Sequence, residues 1–374
     1  MNNIEIRENI KKLKPYQPGK PMEELQRELN IRLEDIIKLA SNENPLGPSP
    51  KAARAFCLTS AKLNRYPDGR CFCLKEKLAL KLAMSPDNII IGNGSDEIID
   101  MAVKAFAGEG DNVIVSEPAF LEYRIISTVR GCIVRSVAMK RRNKSGILSG
   151  FDFDIDAMLG AIDRRTRIIF LGNPDNPTGA YLNRKSLKNF IRRCPKNIVL
   201  LIDEAYREFV DKSDYVDTAT LKGMSNVVTL RTFSKIYGLA GLRIGYAVSN
   251  SDIIGWMERV RQPFNANLPA QAAAEAALGD LAFVKRSRAL NKKGMSYITK
   301  ALKDTGCRVI ESPANFVLFS LKGVSGNELF SRLLSSGIII RDMAAYGLGE
   351  WARVSIGTMP QNKAFIKALK RSFK

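Results

Sequence analysis

From about Asp87 onward, short apolar runs alternate with amphipathic stretches. Asn88–Ile91 (NIII), Asn112–Val115 (NVIV), Arg167–Leu171 (RIIFL), Asn197–Ile202 (NIVLLI) and Asn226–Leu230 (NVVTL) are rich in β-branched residues and poor in polar ones. That pattern predicts strands covered on both faces. Between them, Asp96–Phe106, Leu121–Val129 and Arg184–Arg193 read as helices. The alternation predicts an α/β fold in which a mostly parallel sheet is covered by helices on both sides.

After Gln262 the pattern changes. Ala270–Leu302, rich in Ala, Leu, Lys and Arg, predicts long helix broken near Gly279. An extended run (Asn315–Leu321), a helix (Asn327–Ser335), two short strands (Ile338–Arg341 and Arg353–Ile356) and a last helix (Asn362–Ser372) follow. The expected division is an N-terminal arm (1–35) that packs on the small domain or a partner, a large α/β domain (36–265) and a smaller α+β domain (266–374). The arm carries Pro15, Pro18, Gly19 and Pro21 ahead of an amphipathic helix, Met22–Leu29.

With 374 residues, 45% hydrophobic and 26% charged, the chain has ample material for such cores. No apolar run approaches the ~20 residues that span a bilayer, and the charged N-terminus lacks a signal-peptide core; a cytoplasmic protein away from membranes is expected. Six scattered cysteines, with Cys71 and Cys73 the only near pair, and no histidine argue against a Cys/His zinc site; no metal is expected. Without histidine, proton transfer falls to lysine, carboxylate, tyrosine or cysteine. The net charge of +20 is spread along the chain rather than gathered in a nucleic-acid-reading motif. It is read as a basic solvated surface suited to anionic small molecules, with no nucleic-acid partner.

Four segments carry candidate chemistry. Arg231–Tyr246 (RTFSKIYGLAGLRIGY) follows a strand and holds Ser234, Lys235 and Arg243 around glycines. A lysine there is placed for desolvation, which frees its amine as a nucleophile for a carbonyl, while Ser234 and Arg243 suit a phosphate. The alternative is a surface lysine in a loop. Asp203 ends the apolar run 198–202 at a strand's carboxyl end, where open α/β sheets bind ligands. A protonated pyridine nitrogen would partner it, with Tyr206 near a ring hydroxyl; a helix N-cap is the other reading. Gly172–Gly179 (GNPDNPTG) makes a tight loop that fixes the direction of Asn176, unless it serves only as a turn. Gly92–Glu97 (GNGSDE) opens a helix whose amides and Ser95 suit a phosphate, although Ser95 or Asp96 alone would serve as caps. Phe120 can stack on a flat ring or fill a core.

Together these segments resemble the histidinol-phosphate aminotransferase family of fold-type I pyridoxal-phosphate enzymes. The likeness runs over nearly the whole chain and adds Leu39–Pro48 (LASNENPLGP), Asn64–Gly69 (NRYPDG), Ala314–Leu318 (ANFVL) and Arg353–Thr358 (RVSIGT). It implies pyridoxal 5'-phosphate as cofactor, held by Lys235 as a Schiff base, and transamination of histidinol phosphate with 2-oxoglutarate. Lys235 would also move the proton between Cα and C4′. Asp203 would pair with the pyridine nitrogen, Asn176 and Tyr206 with the ring oxygen, and Phe120, commonly tyrosine in the family, would stack on the ring. Ser95, Asp96 (both through backbone amides), Ser234 and Arg243 would hold the cofactor phosphate. The resemblance further implies a homodimer in which Tyr66 reaches the neighbour's phosphate. Arg353, with Arg341, would grip the anionic end of the substrate, and Tyr16 would close over it. Related activities on the same scaffold are aromatic amino-acid transamination and decarboxylation of a phosphorylated amino acid. A pyridoxal-phosphate-binding regulator that contacts DNA would require a separate reading domain.

Overall fold

In the computed structural model, which describes residues 4–15, 19–221, 223 and 225–373, the largest sheet has seven strands. Their order is Ile89–Gly92, Gly245–Val248, Val227–Thr232, Val199–Asp203, Thr166–Gly172, Asn112–Glu117 and Ile133–Ala138. Gly245–Val248 is antiparallel to both neighbours, and the other adjacent pairs are parallel. The sheet is mostly parallel, as expected, and Gly245–Val248 is its one reversed strand.

Alternation along the central strands sends successive side chains to opposite faces. Ile169, Leu171, Leu200 and Ile202 join Leu187, Phe190 and Ile191 of the Arg184–Arg193 helix in one apolar layer. Ile168, Phe170, Val199, Leu201, Val228 and Leu230 join Ile98, Ile99 and Ala102 of the Gly94–Phe106 helix in the other. Because the parallel strands point one way, their carboxyl ends share an edge. Gly172 pairs with Asp203 there, and Gly245 lies between Gly92 and Thr232.

A second, antiparallel sheet orders Arg308–Ile310, Phe316–Ser320, Ala352–Ser355 and Arg341–Asp342. Its core meets Ile298 and Leu302 of the Leu281–Asp304 helix and Phe365, Ile366 and Leu369 of the Met359–Ser372 helix. The long helix expected over 270–302 is two helices, Leu268–Leu278 and Leu281–Asp304, parted at Gly279 and restarted by the Asp280 cap. The first of them sets Ala270, Ala273, Ala274 and Ala277 against Ala52, Leu74 and Leu78, beside the seven-stranded sheet.

The expected single strand 338–341 also divides. Ile338–Ile339 pairs with Ile37–Lys38 of the N-terminal segment, and Arg341–Asp342 turns to pair with Arg353 and Ala352. In the arm, Arg7 and Asn9 side chains donate to the carbonyls of Val129 and Thr128, and Leu25 is buried against Ile36, Ala40 and Ile339. Tyr16 lies outside the described residues.

Behind the shared edge, Arg231 is buried in a carboxylate nest. Its Nε donates to Glu204 at 2.9 Å, Asp217 accepts from the same guanidinium, and Glu204 also takes the amide and hydroxyl of Thr218. These charges raise the Arg231 pKa well above the ordinary value against the effect of burial. Removing one partner strands buried charge, so Arg231→Met is expected to lower unfolding free energy by about 3–5 kcal/mol. Urea denaturation of the purified protein measures it; a loss under about 1 kcal/mol would mean the nest relaxes freely.

Candidate active site

The shared strand edge and the second sheet enclose a cavity of about 250 Å3. Lys235 reaches it from the turn after the Val227–Thr232 strand, and its Nζ donates to the Ser41 carbonyl at 3.1 Å. The amine sits 5.8 Å from the centroid of the Tyr206 ring. Burial first, and the Arg353 charge second, lower its pKa to about 8, so a useful fraction is neutral near neutral pH. The surface-loop reading is thereby overturned.

Asp203 is the last residue of its strand and is 7% exposed. Its Oδ2 accepts the Tyr123 hydroxyl at 2.8 Å and its Oδ1 the Ala205 amide at 3.0 Å. Burial pushes its pKa up to about 6 although both donors oppose that rise. A carboxylate held dry by neutral donors is suited to a cationic ring nitrogen. It caps no α-helix.

Asn176 is placed by the loop beneath it. Asp175, fully buried, accepts the Thr178 hydroxyl at 2.6 Å and the Thr178 amide at 3.2 Å, which closes the turn. Burial raises the Asp175 pKa to about 7. The Asn176 amide oxygen accepts from Arg353 Nη1, which leaves its NH2 group to donate elsewhere. Arg353, 5% exposed, also donates from Nη2 to the Ala40 carbonyl at 2.7 Å and lies 5.3 Å from the Phe316 ring centroid. Arg341 joins the wall of the same cavity.

At the opposite end, Ser95 and Asp96 stand in the first turn of the Gly94–Phe106 helix. Arg243 Nη2 is 3.0 Å from Asp96 Oδ2, and Ser234 is buried beside them in the cavity wall. Gly94 has φ +80°, a conformation that strains any side chain, and a Cβ there would lie 2.3 Å from Arg243 Nη2 and push the guanidinium aside. A helix N-terminus, a hydroxyl and a guanidinium together make an anion cradle. Phe120 lines the cavity and meets Tyr123 edge-on, ring centroids 5.6 Å apart.

Lys235, Asp203, Asn176, Tyr206, Phe120, Ser95, Asp96, Ser234, Arg243, Arg353 and Arg341 thus meet at one cavity. Tyr66 does not line it; it is 82% exposed and stacks on Phe264, centroids 4.6 Å apart. Two residues were given no role from the sequence. Tyr123 holds Asp203 and stacks on Phe170; its spacing of one helical turn from Phe120 is the available signal. Asn42 donates from Nδ2 to the Tyr206 hydroxyl at 2.9 Å and sits within a motif quoted only for likeness.

The residues fit pyridoxal phosphate on these observations: a lysine with a depressed pKa, a buried carboxylate for a cationic ring nitrogen, and an anion cradle in one cavity of suitable size. The family described as aminotransferase class I and II matches residues 34–369. A histidinol-phosphate aminotransferase of Moorella thermoacetica is 44% identical over 366 residues, covering 97% of this chain and 92% of that one. Another, of Desulfotalea psychrophila, is 42% identical over 370 residues, covering 98% and 94%. The crystal structure of histidinol-phosphate aminotransferase from Sinorhizobium meliloti in complex with pyridoxal-5'-phosphate superposes with a TM-score of 0.86 at 27% identity, covering 98% of this chain and 97% of that one.

Proposed function

The chain belongs to the class I and II aminotransferases, and from that membership we propose that it transfers the amino group of histidinol phosphate to 2-oxoglutarate with pyridoxal phosphate as cofactor. The carrying observation is one cavity in which Lys235, Asp203 and Arg353 meet. In this reading Ser95, Asp96, Ser234 and Arg243 would hold the cofactor phosphate, and Phe120 would offer a face for its ring. When bound, pyridoxal phosphate supplies an electron sink that acidifies the substrate Cα–H bond.

The chain supplies the rest. Asp203 would hold a proton on the ring nitrogen and so keep the sink electron-poor. Asn176 and Tyr206 would donate to the ring oxygen. Lys235, neutral in part because burial lowers its pKa, would hold the cofactor by its aldehyde, and once the incoming substrate amine displaced it, the freed amine would carry the proton between the substrate Cα and C4′. Arg353 anchors the anion at the far end. Histidinol phosphate has no α-carboxylate, so its phosphate takes the place where glutamate puts a carboxylate, and a guanidinium fork accepts either.

The working unit in this reading is a homodimer. Residues 56–72 expose Phe56, Leu58, Leu63, Tyr66 and Phe72, more apolar surface than a free face keeps without a partner, and Tyr66 would enter the neighbour's phosphate cradle. We place the protein in the cytosol, in keeping with six unpaired thiols. Among the described residues no helix is long and apolar enough to cross a membrane.

Purified protein is expected to form glutamate from histidinol phosphate and 2-oxoglutarate, and more slowly from phenylalanine. Glutamate from phenylalanine alone would assign an aromatic aminotransferase. Carbon dioxide released from a phosphorylated amino acid, without glutamate, would assign the decarboxylase.

A further inference from the structure

We propose that Asn42 is a positioning residue that aims the Tyr206 hydroxyl proton into the cavity. The proposal rests on the reading that Tyr206 donates to the cofactor ring oxygen. Tyr206 is 4% exposed, and Asn42 Nδ2 donates to its oxygen at 2.9 Å. A phenol oxygen that accepts on that side keeps its own proton for the other, where the cavity lies.

The direction of this bond depends on which way the Asn42 amide faces, and Ser355 decides it. The Asn42 backbone N–H donates to Ser355 Oγ at 2.8 Å, and that hydroxyl donates back to Asn42 Oδ1 at 2.9 Å. Among the described residues Oδ1 is the acceptor the Ser355 hydroxyl finds, so a turned amide would strand that buried proton, and Nδ2 faces Tyr206. A flipped amide would present its oxygen to the phenol and draw the proton out of the cavity. The backbone is fixed as well: the Asn42 carbonyl accepts from Asn315 Nδ2 at 2.9 Å. Asn42 has φ +55°, a left-handed conformation that asparagine tolerates better than most residues. All four groups are buried, so water does not compete for these bonds.

A donor on the ring oxygen stabilises its negative charge and loosens its hold on the proton shared with the Lys235 nitrogen. Loss of that donor tightens the hold and raises the pH midpoint of the bound cofactor's visible absorbance. Asn42→Asp places an acceptor against the phenol and tolerates the same φ, while Asn42→Gly removes the donor without adding charge. The midpoint is read by spectrophotometric titration of the holoenzyme, and cofactor affinity by equilibrium dialysis.

Asn42→Asp is expected to raise the midpoint by about one pH unit and Asn42→Gly by less, with cofactor affinity weakened under tenfold. In a Tyr206→Phe background, neither substitution at position 42 moves the midpoint further. Equal shifts in both backgrounds would show that position 42 acts by charge alone and overturn the proposal. A shift in Tyr206→Phe without one in either Asn42 variant would overturn it and leave the Tyr206 reading standing. No shift in Tyr206→Phe itself would remove that reading and the proposal with it.

Discussion

Lys235→Ala is expected to lower the transamination rate by roughly ten-thousand-fold or more, because one amine serves both as nucleophile and as proton carrier. Its position explains why no other group substitutes. The amine sits inside the cavity at hydrogen-bond distance from the Ser41 carbonyl, and the next basic groups there are guanidiniums, which neither condense with an aldehyde nor give up a proton near neutral pH. The variant still keeps the Arg243 and Ser234 cradle, so it is expected to bind the cofactor weakly and to lack the visible absorbance of the lysine-bound form. In the wild type, the capture rate should climb as pH rises through about 8, its midpoint, and level only above it, since the neutral fraction of the amine grows through its lowered pKa. Borohydride reduction followed by peptide mapping locates the bond. A stable adduct at any other lysine would remove Lys235 from its assigned place.

What could be read from the chain was what is local. Asp203 ends an unbroken apolar run, so its place at a strand exit followed from the run itself, and the strand does end there. The break at Gly279 was legible because glycine followed by a capping aspartate interrupts an Ala-rich helix. The reversed strand Gly245–Val248 was not, because four residues after a glycine-rich turn carry no sign of direction; only pairing with Ile89–Gly92 and Val227–Thr232 gives one. The hairpin Lys140–Lys144 with Ile147–Asp152 escaped for another reason. Its first strand is exposed along its length, so no apolar alternation marks it. The contacts that tune the site are longer still. Tyr123 meets Asp203 across 80 residues and Asn42 meets Tyr206 across 164, and neither pair leaves a spacing signature.

Arg353→Ala is expected to lower kcat/KM for histidinol phosphate and for glutamate alike, by roughly a hundredfold to a few thousandfold, the equivalent of about 3–5 kcal/mol of lost charge pairing in a dry site. The size follows from burial and preorganisation. The guanidinium is already desolvated and pinned by Asn176, the Ala40 carbonyl and the Phe316 face, so an anion that reaches it meets a charge that need not shed water or reorient. The same bond from Nη1 to Asn176 gives the substitution a second effect. Asn176 loses its partner, its amide is free to turn, and the spectrum of the bound cofactor should change before any substrate is added. Arg353→Lys separates the two effects: a point charge restores part of the anion affinity but cannot span substrate and Asn176 at once, so its KM should recover more than its kcat. Activity lost toward only one of the two substrates would contradict a shared anchor and move the other anion to Arg341, which lines the same cavity one strand away.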